Sequence, residues 1–458
     1  MPKEFVGFHS EWNLGSPGGW DYQRMAQEIG KFTWERIKKE TGLDIELDFD
    51  CPILNPVPGF AQMLLRSHED NYGAQKPHIA IISEKETLEK GGENIHIVEY
   101  LNSIEGIKAT LADPSRLELK DGNIYLNNEP VTVIFQDMSN RIILELKKQH
   151  SVKPLLEAIK KGIVVNPRGM EIIGAKGVFE AITSEYKNLI SDTTIMRTPW
   201  TRRFFKRATT GPSGTHISNL VEWARENWQN IILKPVRGYP GKGVIIGFKE
   251  SDVEGSIQKA LEAGDYIIQP LVPLDLWQEE FPCVDREHKK VILKALQTNF
   301  RCLITDTGVI GFVTRFGGIP TKIGQGGGVQ ASAVLRSDIP LRDAVARINH
   351  LIARQSFDFL CGLQDETDTK SITIGNTYLR RPIMNTLRPR IITESHIEDI
   401  MLYGQNLWQD AMAVEGLWLE DKLSEYVQIN KEEEEIAKLA PWHGRSGLMA
   451  ADGLFGFL

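Results

Sequence analysis

The sequence has few of the residues that hold small secreted domains together. Its 458 residues include four cysteines, at positions 51, 283, 302 and 361, and no two of them form a CxxC pair. Scattered thiols argue against a disulfide framework and are typical of a protein from a reducing cytoplasm. A chain of this length can bury a sizeable core without disulfide bonds or structural metal ions.

Long apolar runs and an excess of positive charge are also lacking. No run approaches the roughly 20 apolar residues of a membrane-spanning helix, and the opening MPKEFVGFHSEW lacks the apolar segment of a secretory signal. The formal net charge is −8, which argues against a general affinity for nucleic acid or an anionic membrane, although a local basic patch is compatible with this total. We therefore expect a soluble cytoplasmic protein.

Short apolar runs alternate with amphipathic stretches over the first part of the chain. This alternation predicts an α/β architecture there, followed by an α+β unit after residue 231, where strands become closely spaced and the turn sequence TDTG predicts an antiparallel hairpin. The predicted strands of the first part are 45–49, 78–83, 131–135 and 163–166, and the predicted helices are 21–41, 151–160 and 176–190.

The stretch IILKPVRGYPGKGVIIGF places glycines and basic residues between two apolar strands. Lys234 stands in line with core residues and needs an anionic partner, because an unpaired buried charge is costly. The glycines let backbone N–H groups approach a phosphate closely. An ordinary hairpin with a flexible, solvated tip is the alternative interpretation. The loop residues predicted to contact phosphate are Arg237, Gly238, Gly241, Lys242 and Gly243.

Several further segments stand in a fixed order around this loop. They are NPRGMEIIGAK, which ends at Lys176, YIIQPLV, which contains Gln269, NFRCLITDTGVIGFVTRF, which contains Arg301 and Arg315, and GQGGGVQ. Together with the glycine-rich loop they resemble the ATP-grasp superfamily, in which two α+β subdomains clamp ATP. The resemblance implies a pre-ATP-grasp domain at 1–165, subdomains at 166–265 and 266–425, and a C-terminal helix and tail at 426–458.

The resemblance also implies an activity. ATP-grasp ligases use ATP and Mg²⁺ to join a small-molecule carboxylate to an amine through an acyl phosphate, releasing ADP and phosphate. Lys176 and Lys234 would hold the phosphates, Gln269 would lie in the strand that contacts adenine, and Arg301 and Arg315 would stabilise the transferred phosphoryl group. A small-molecule kinase and a non-catalytic nucleotide-binding module are the alternatives. No nucleic-acid or membrane partner is expected, and a homodimer is compatible with the sequence.

The metal ligands are the point at which the sequence departs from the family pattern. ATP-grasp enzymes usually bind Mg²⁺ through a carboxylate on a late strand and a nearby D/E-x-N pair. Here Asn299 replaces the aspartate of the D-x-R motif, and no E-x-N pair follows it. The metal ligands therefore stay undetermined, with Asp358, Asp365 and Glu366 as unplaced candidates.

Two other segments leave two interpretations each, and the charged tail has one. The basic residues at 380, 381, 388 and 390 could bind an anionic substrate or form a solvated surface. The glycine-rich turn at 15–20 precedes a long helix, whose N-terminus could bind an anion, although a connecting loop is the simpler reading. The tail INKEEEEIAKLA predicts a charged, solvated helix.

Overall fold

The computed structural model describes residues 6–73, 75–85, 88, 92–149, 151–166, 168–238, 243–319, 321, 327–378, 381–440 and 446–457. No helix within these ranges has the length and apolar character needed to cross a membrane. Over the first part of the chain the elements are β1 (Val6–Asn13), α1 (Trp20–Thr41), β2 (Leu47–Asp48), α2 (Val57–Tyr72), β3 (His78–Ser83), α3 (Glu93–Asn102), β4 (Lys108–Ala112), β5 (Leu117–Lys120), β6 (Asn123–Leu126), β7 (Glu129–Pro130), β8 (Val133–Asp137), α4 (Asn140–Lys147), α5 (Lys153–Lys160) and β9 (Val164–Val165).

The middle of the chain contains short helices and the longest strands. Its elements are α6 (Arg168–Ile173), α7 (Val178–Ile182), α8 (Asp192–Arg197), β10 (Arg202–Arg203), β11 (Thr209–Thr210), β12 (His216–Ile217), α9 (Leu220–Glu226), β13 (Ile231–Pro235), β14 (Ile245–Ile246), α10 (Val253–Ala263), β15 (Tyr266–Pro270), β16 (Gln278–Asp285), β17 (Lys290–Thr305) and β18 (Gly308–Gly317).

The last part of the chain is mainly helical and ends in a strand. Its elements are β19 (Gly328–Val329), β20 (Ser332–Leu335), α11 (Leu341–Ala353), α12 (Phe357–Thr373), β21 (Thr377–Tyr378), β22 (Arg381–Pro382), β23 (Arg390–Ile392), α13 (Glu394–Leu419), α14 (Ser424–Val427), α15 (Lys431–Ala437) and β24 (Met449–Gly456).

The N-terminal α/β unit is built on a parallel sheet. Its strand order is β4-β3-β8-β9, and every residue of β3 is buried. A continuous apolar strand such as HIAIIS is typical of a parallel sheet whose two faces are both covered. The predicted strand at 78–83 is therefore confirmed, and the carboxyl ends of β3 and β8 lie at one edge of this sheet.

Two further sheets, which contain most of the strands after residue 231, are antiparallel, as predicted for that part of the chain. A four-stranded sheet has the order β10-β15-β13-β14, and a larger sheet has the order β1-β24-β17-β18-β19 with β16 also paired to β17. The hairpin predicted at TDTG is present between β17 and β18. Gly308 adopts φ +110° at this turn, a backbone conformation that favours glycine.

The two ends of the described chain meet in the larger sheet. β24 lies between β1 and β17 and pairs antiparallel with both. β1 therefore belongs to the sheet of residues 290–317 and is not paired with the parallel strands of the N-terminal unit. β1 is the edge strand of this sheet and β24 is an inner strand, so segments from the predicted units 1–165 and 426–458 share one sheet with β17 and β18.

Two predicted helices differ from the structure. The helix expected at 176–190 is only α7, because the hydroxyl groups of Thr183 and Ser184 bond to the carbonyls of Phe179 and Glu180 and end the turn. The charged tail forms α15 as predicted, but its Glu433 is buried, so this helix is not solvated on all sides.

Candidate functional site

The two lysines of the phosphate-binding prediction both contact β1. Lys176 precedes α7, and its Nζ lies 3.1 Å from Glu11 Oε2 on β1. Lys234 lies on β13, and its Nζ donates to the carbonyl of Ser10 at 3.4 Å. The backbone joins the two segments directly, since the N–H of Lys176 bonds to the carbonyl of Val236 at 2.9 Å. Two amines from separate elements therefore face the same strand.

Burial and the neighbouring lysine change the pKa of Lys234. Loss of water around its ammonium group, together with the nearby charge of Lys176, lowers the pKa of Lys234 from 10.5 to about 8, and Glu11 opposes the shift. A cation that is held out of water beside a second cation is stabilised by any anion that enters between them. The lysine pair is thus suited to a phosphate chain.

The two arginines predicted to act on the phosphoryl group converge on one carboxylate. Arg301 Nη2 lies 2.6 Å from Asp452 Oδ2, and Arg315 Nη2 lies 3.3 Å from the same oxygen. Arg315 Nε also donates to Asn299 Oδ1 at 2.9 Å. Burial by itself would raise the pKa of Asp452, but the two arginines outweigh burial and hold that pKa well below its ordinary value.

The lysine pair and the arginine pair are joined through the sheet. Glu11 lies opposite Asp452 in the β1–β24 pairing, and Asp452 lies opposite Arg301 in the β24–β17 pairing. Residues that face each other across neighbouring strands point to the same side of a sheet, about 5 Å apart. Lysines, arginines and carboxylates therefore form one continuous polar site.

This arrangement brings together oxygen-bearing side chains from the two ends of the described chain. Glu11, Trp12 and Asn13 form an E-x-N triplet on β1, and residues two apart on a strand share a face. Asp452, opposite Glu11, is the carboxylate on a late strand. The described residues contain no cluster of three or more His, Cys, Asp or Glu side chains that could bind a metal. A pair of carboxylates and an amide nevertheless suits Mg²⁺, which usually takes one or two carboxylates together with water and substrate phosphates.

A cavity of about 400 Å³ opens beside this site. One wall comes from β1 and from Lys176, and the other comes from the carboxyl edge of the parallel sheet, where Asp137 ends β8 and Ser139 caps α4. In open α/β sheets, ligands bind outside the carboxyl ends of the strands. Arg141 lies exposed at the rim of this cavity, without a hydrogen-bond or ion-pair partner among the described residues.

The glycine-rich loop borders the same cavity. Arg237 and Gly238 line it, and Gly243 adopts φ +77° with its carbonyl bonded to the Tyr266 hydroxyl at 2.8 Å. Gly241 and Lys242 lie outside the described residues. Arg237 is bound to two carboxylates, with Nη1 2.6 Å from Glu433 Oε2 and Nη2 3.5 Å from Glu171 Oε1. The positive charge of Arg237 is thus neutralised by these two carboxylates, an arrangement that the predicted phosphate contact does not include.

Gln269 shares a face of its sheet with Lys234. On β15 it lies opposite Ile232, two residues before Lys234 on β13. Its side chain is buried and donates to Thr201 Oγ1 at 2.8 Å. Side chains two apart on a strand point the same way, so the strand predicted to contact adenine runs beside the lysine that is predicted to contact phosphate.

The helix N-terminus at the glycine-rich turn binds a carboxyl group of the chain itself. The backbone N–H of Gly19 donates to Glu93 Oε1 at 2.8 Å and to Oε2 at 3.0 Å, and the N–H of Asp21 donates to Oε1 at 2.9 Å. Glu93 begins α3 in the N-terminal unit. The carboxyl group of Glu93 therefore occupies the helix N-terminus at which the sequence predicted that an external anion could bind.

Comparisons with known proteins give the following matches. No protein-family model matches the sequence, and no curated protein matches it at a significant level. Among solved structures, an ATP-grasp RimK domain protein from Sphaerobacter thermophilus aligns over 62% of this chain and 100% of its own length, with 12% identity and a TM-score of 0.30. The macrocyclase MdnC from Microcystis aeruginosa aligns over 63% of this chain and 83% of its own, with 12% identity and a TM-score of 0.31. D-alanyl-alanine synthetase A from Vibrio cholerae aligns over 48% and 67%, with 12% identity and a TM-score of 0.26.

The chain is similar in structure to ATP-grasp proteins. These matches are likenesses of fold.

The other predicted binding residues lie away from the candidate site. Arg388 and Arg390 are buried against Glu279, at 3.1 Å and 3.2 Å, so they form neither a solvated surface nor an open substrate site. Arg381 is exposed, and Arg380 lies outside the described residues. The metal candidates of α12 are also elsewhere, since Asp365 and Glu366 pair with the surface residues Arg286 and Arg36.

Proposed function

We propose that this protein is an ATP-dependent ligase that joins a carboxylate to an amine through an acyl-phosphate intermediate. The observation that carries the proposal is the convergence of Lys176 and Lys234 on the strand whose Glu11 faces Asp452. Amines from two segments, two arginines and a metal-binding set of oxygen ligands then surround one space. Phosphoryl transfer needs this combination of positioning and charge neutralisation.

The ligand set follows the ATP-grasp pattern in space but not along the chain. The E-x-N pair usually comes soon after the carboxylate of the late strand. Here Asp452 stands on the last strand and Glu11-x-Asn13 on the first, and the two strands are paired. We infer that the chain is circularly permuted relative to the usual order. Asp452, Glu11 and Asn13 would hold Mg²⁺, which when bound neutralises charge on the phosphates.

Each group of residues in the site has its own proposed role in the reaction. Lys176 and Lys234 bind the phosphate chain of ATP, and the backbone N–H groups of Gly238 and Gly243 approach it closely. Arg301 and Arg315 stabilise the charge that develops on the transferred phosphoryl group. We place the carboxylate substrate in the 400 Å³ cavity, where Arg141 at the rim can bind a negatively charged group. Its carboxylate oxygen attacks the γ-phosphorus, and ADP leaves.

The test is a product analysis with ATP, Mg²⁺ and a pool of amino acids and small organic acids. A ligase produces ADP, phosphate and a new amide. A kinase produces ADP and a phosphorylated product, and a nucleotide-binding module produces neither but is stabilised thermally by ATP. The same assay with Lys234→Met should show no product. Absence of any ATP-dependent stabilisation of the wild type would contradict all three readings.

A further inference from the structure

A second cavity is lined by the arginine pair. It has a volume of about 240 Å³ and contains both cationic and anionic groups. Its size suits a small ligand or one end of a larger one. The cavity is lined by Gly18, Gly19, Tyr22, Glu93, Arg301, Val313, Arg315 and Val329.

Glu93 is the carboxylate of this cavity, and its two oxygens are bound unequally. Oε1 accepts two backbone N–H groups, from Gly19 at 2.8 Å and Asp21 at 2.9 Å, whereas among the described residues Oε2 accepts only the longer contact from Gly19 at 3.0 Å. A carboxylate oxygen can accept more than one hydrogen bond. Oε2 therefore has capacity for a donor that enters the cavity.

Opposing effects of burial and hydrogen bonding set the protonation state of Glu93. Removal of its carboxyl group from water raises the pKa of Glu93 to about 8, although the two amide donors at the start of α1 act in the opposite direction. A carboxyl group with such a pKa is well matched to accepting a proton near neutral pH. The titratable and charged groups around it are Asp21 and Tyr22 of α1, Asp137 of β8, Arg301 of β17 and Arg315 of β18.

The opposite wall of the cavity has the opposite charge. Arg301 donates to Asp452 and to the carbonyl of Gly18, at 2.7 Å for the latter, so its position is fixed. Under the proposed function, the phosphoryl end of an acyl phosphate lies against these arginines. A second substrate that enters between the arginines and Glu93 then meets the acyl phosphate on one side and a carboxylate on the other.

We propose that Glu93 binds the ammonium group of the amine substrate and accepts its proton. The proposal rests on the proposed ligase function and assigns a cationic primary amine to the 240 Å³ cavity. The proton moves from the ammonium nitrogen to Glu93 Oε2, leaving a neutral amine. The nitrogen lone pair forms the C–N bond at the acyl carbon, the bond from that carbon to the phosphate oxygen breaks, and the second amine proton leaves with the phosphate.

The experiment compares Glu93→Gln with Glu99→Gln, the same change at an exposed position of the same helix. Ethylammonium chloride is titrated against the protein with Mg²⁺ and a non-hydrolysable ATP analogue, by calorimetry at several pH values. Wild type and Glu99→Gln should bind the probe more tightly as the pH rises through about 8. Glu93→Gln should bind it about tenfold more weakly, without that pH dependence, because a charge-assisted hydrogen bond is lost.

A purely structural role of Glu93 as a helix cap would give another result. Glu93→Gln would then lower the melting temperature and nucleotide affinity without a selective change in amine binding. Equal binding of ethylammonium by wild type and Glu93→Gln, or no binding by the wild type, would overturn the proposal. If Glu93→Gln does not fold, Glu93→Asp retains the charge on a shorter side chain and should keep the pH dependence with weaker binding.

A turnover assay separates this inference from the ligase proposal. Hydroxylamine is uncharged at neutral pH, so its attack on an acyl phosphate needs no proton acceptor. Glu93→Gln should form hydroxamate from the acid pool at the wild-type rate while losing amide formation, and amide formation should recover at high pH. Hydroxamate formation by neither protein would contradict the ligase proposal, whereas equal loss of hydroxamate and amide in Glu93→Gln would contradict the role of Glu93.

Discussion

Glu11 on the first strand lies directly opposite Asp452 on the last strand of the same sheet. The two carboxylates belong to opposite ends of the described chain, and each is surrounded by cations from the segments between them. Lys176 pairs with Glu11, and Arg301 and Arg315 pair with Asp452. The pairing of these two strands therefore holds the fold and the candidate site together, and changes at either residue should affect both.

Asp452→Asn should affect both the stability of the fold and the proposed Mg²⁺ binding. The change leaves two guanidinium groups without a negative partner, and breaking a buried ion pair typically costs about 3 kcal/mol or more. It also removes a proposed Mg²⁺ ligand. We expect a lower urea midpoint and a loss of the Mg²⁺-dependent increase in ATP affinity, measured by calorimetry with and without the metal. Asp285→Asn, on β16 of the same sheet, should show neither effect.

Lys234→Met should weaken nucleotide binding with little loss of stability. The ammonium group of Lys234 has a pKa lowered to about 8, so folding disfavours its charge. Between about pH 8 and pH 10.5 the unfolded chain binds more protons than the folded one, so wild-type stability should rise with pH in that interval, and the variant should lack this rise. Lys259→Met, an exposed lysine of α10, is the control. Unchanged ATP affinity would reject the phosphate role.

Arg237 and Glu433 offer a double-mutant cycle. The pair is buried on both sides, so Arg237→Met alone should destabilise the protein by about 3 kcal/mol in urea unfolding, because Glu433 is left uncompensated. The double variant Arg237→Met and Glu433→Met should recover most of this loss. A fall in ATP affinity without a fall in stability would instead support the phosphate contact that the sequence predicts for Arg237.

His9 should make stability depend on pH in mildly acidic solution. Burial, and secondarily the charge of Arg197, lowers the pKa of His9 from 6.5 to about 3. Its ring is bound between Thr198 Oγ1 at 2.7 Å and the Tyr403 hydroxyl at 3.0 Å. Between pH 3 and 6.5 the unfolded state binds the extra proton, so wild-type stability should fall by roughly 1.4 kcal/mol for each pH unit of acidification.

The comparison for this prediction is His9→Gln, which cannot take up the proton. Its unfolding free energy should be lower at neutral pH but flatter below about pH 6.5 than that of the wild type. His288→Gln, at an exposed position beside Asp285, should keep the wild-type dependence. Parallel pH profiles of His9→Gln and wild type would show that His9 does not control the acid sensitivity.

Local patterns predicted the strands and the turns well. The strand at 78–83 has the predicted bounds, and the hairpin at TDTG joins β17 and β18 as expected. Apolar runs and turn residues act over a few positions, so they can be read without knowing the fold. The helix at 176–190 was wrong because two hydroxyl side chains end α7 early, a competition that helical periodicity does not show.

The candidate site was predicted only in part. The cationic residues at 176, 234, 301 and 315 were recognised because each stands in a segment with its own signal. The proposed oxygen ligands Glu11, Asn13 and Asp452 are not predicted from the sequence, because the family pattern places the E-x-N pair after the hairpin and the triplet EWN stands near the start of the chain.

The sequence by itself determined the elements and the cationic half of the site, since strand patterning, turn chemistry and the placement of lysine and arginine are local properties of the chain. Only the tertiary structure decided which carboxylates meet those cations. Pairing between the first and last strands is a contact between residues more than 400 positions apart, and no local pattern specifies such a partner. The same holds for Glu93, which accepts the N–H of Gly19 from a position 74 residues away in the sequence.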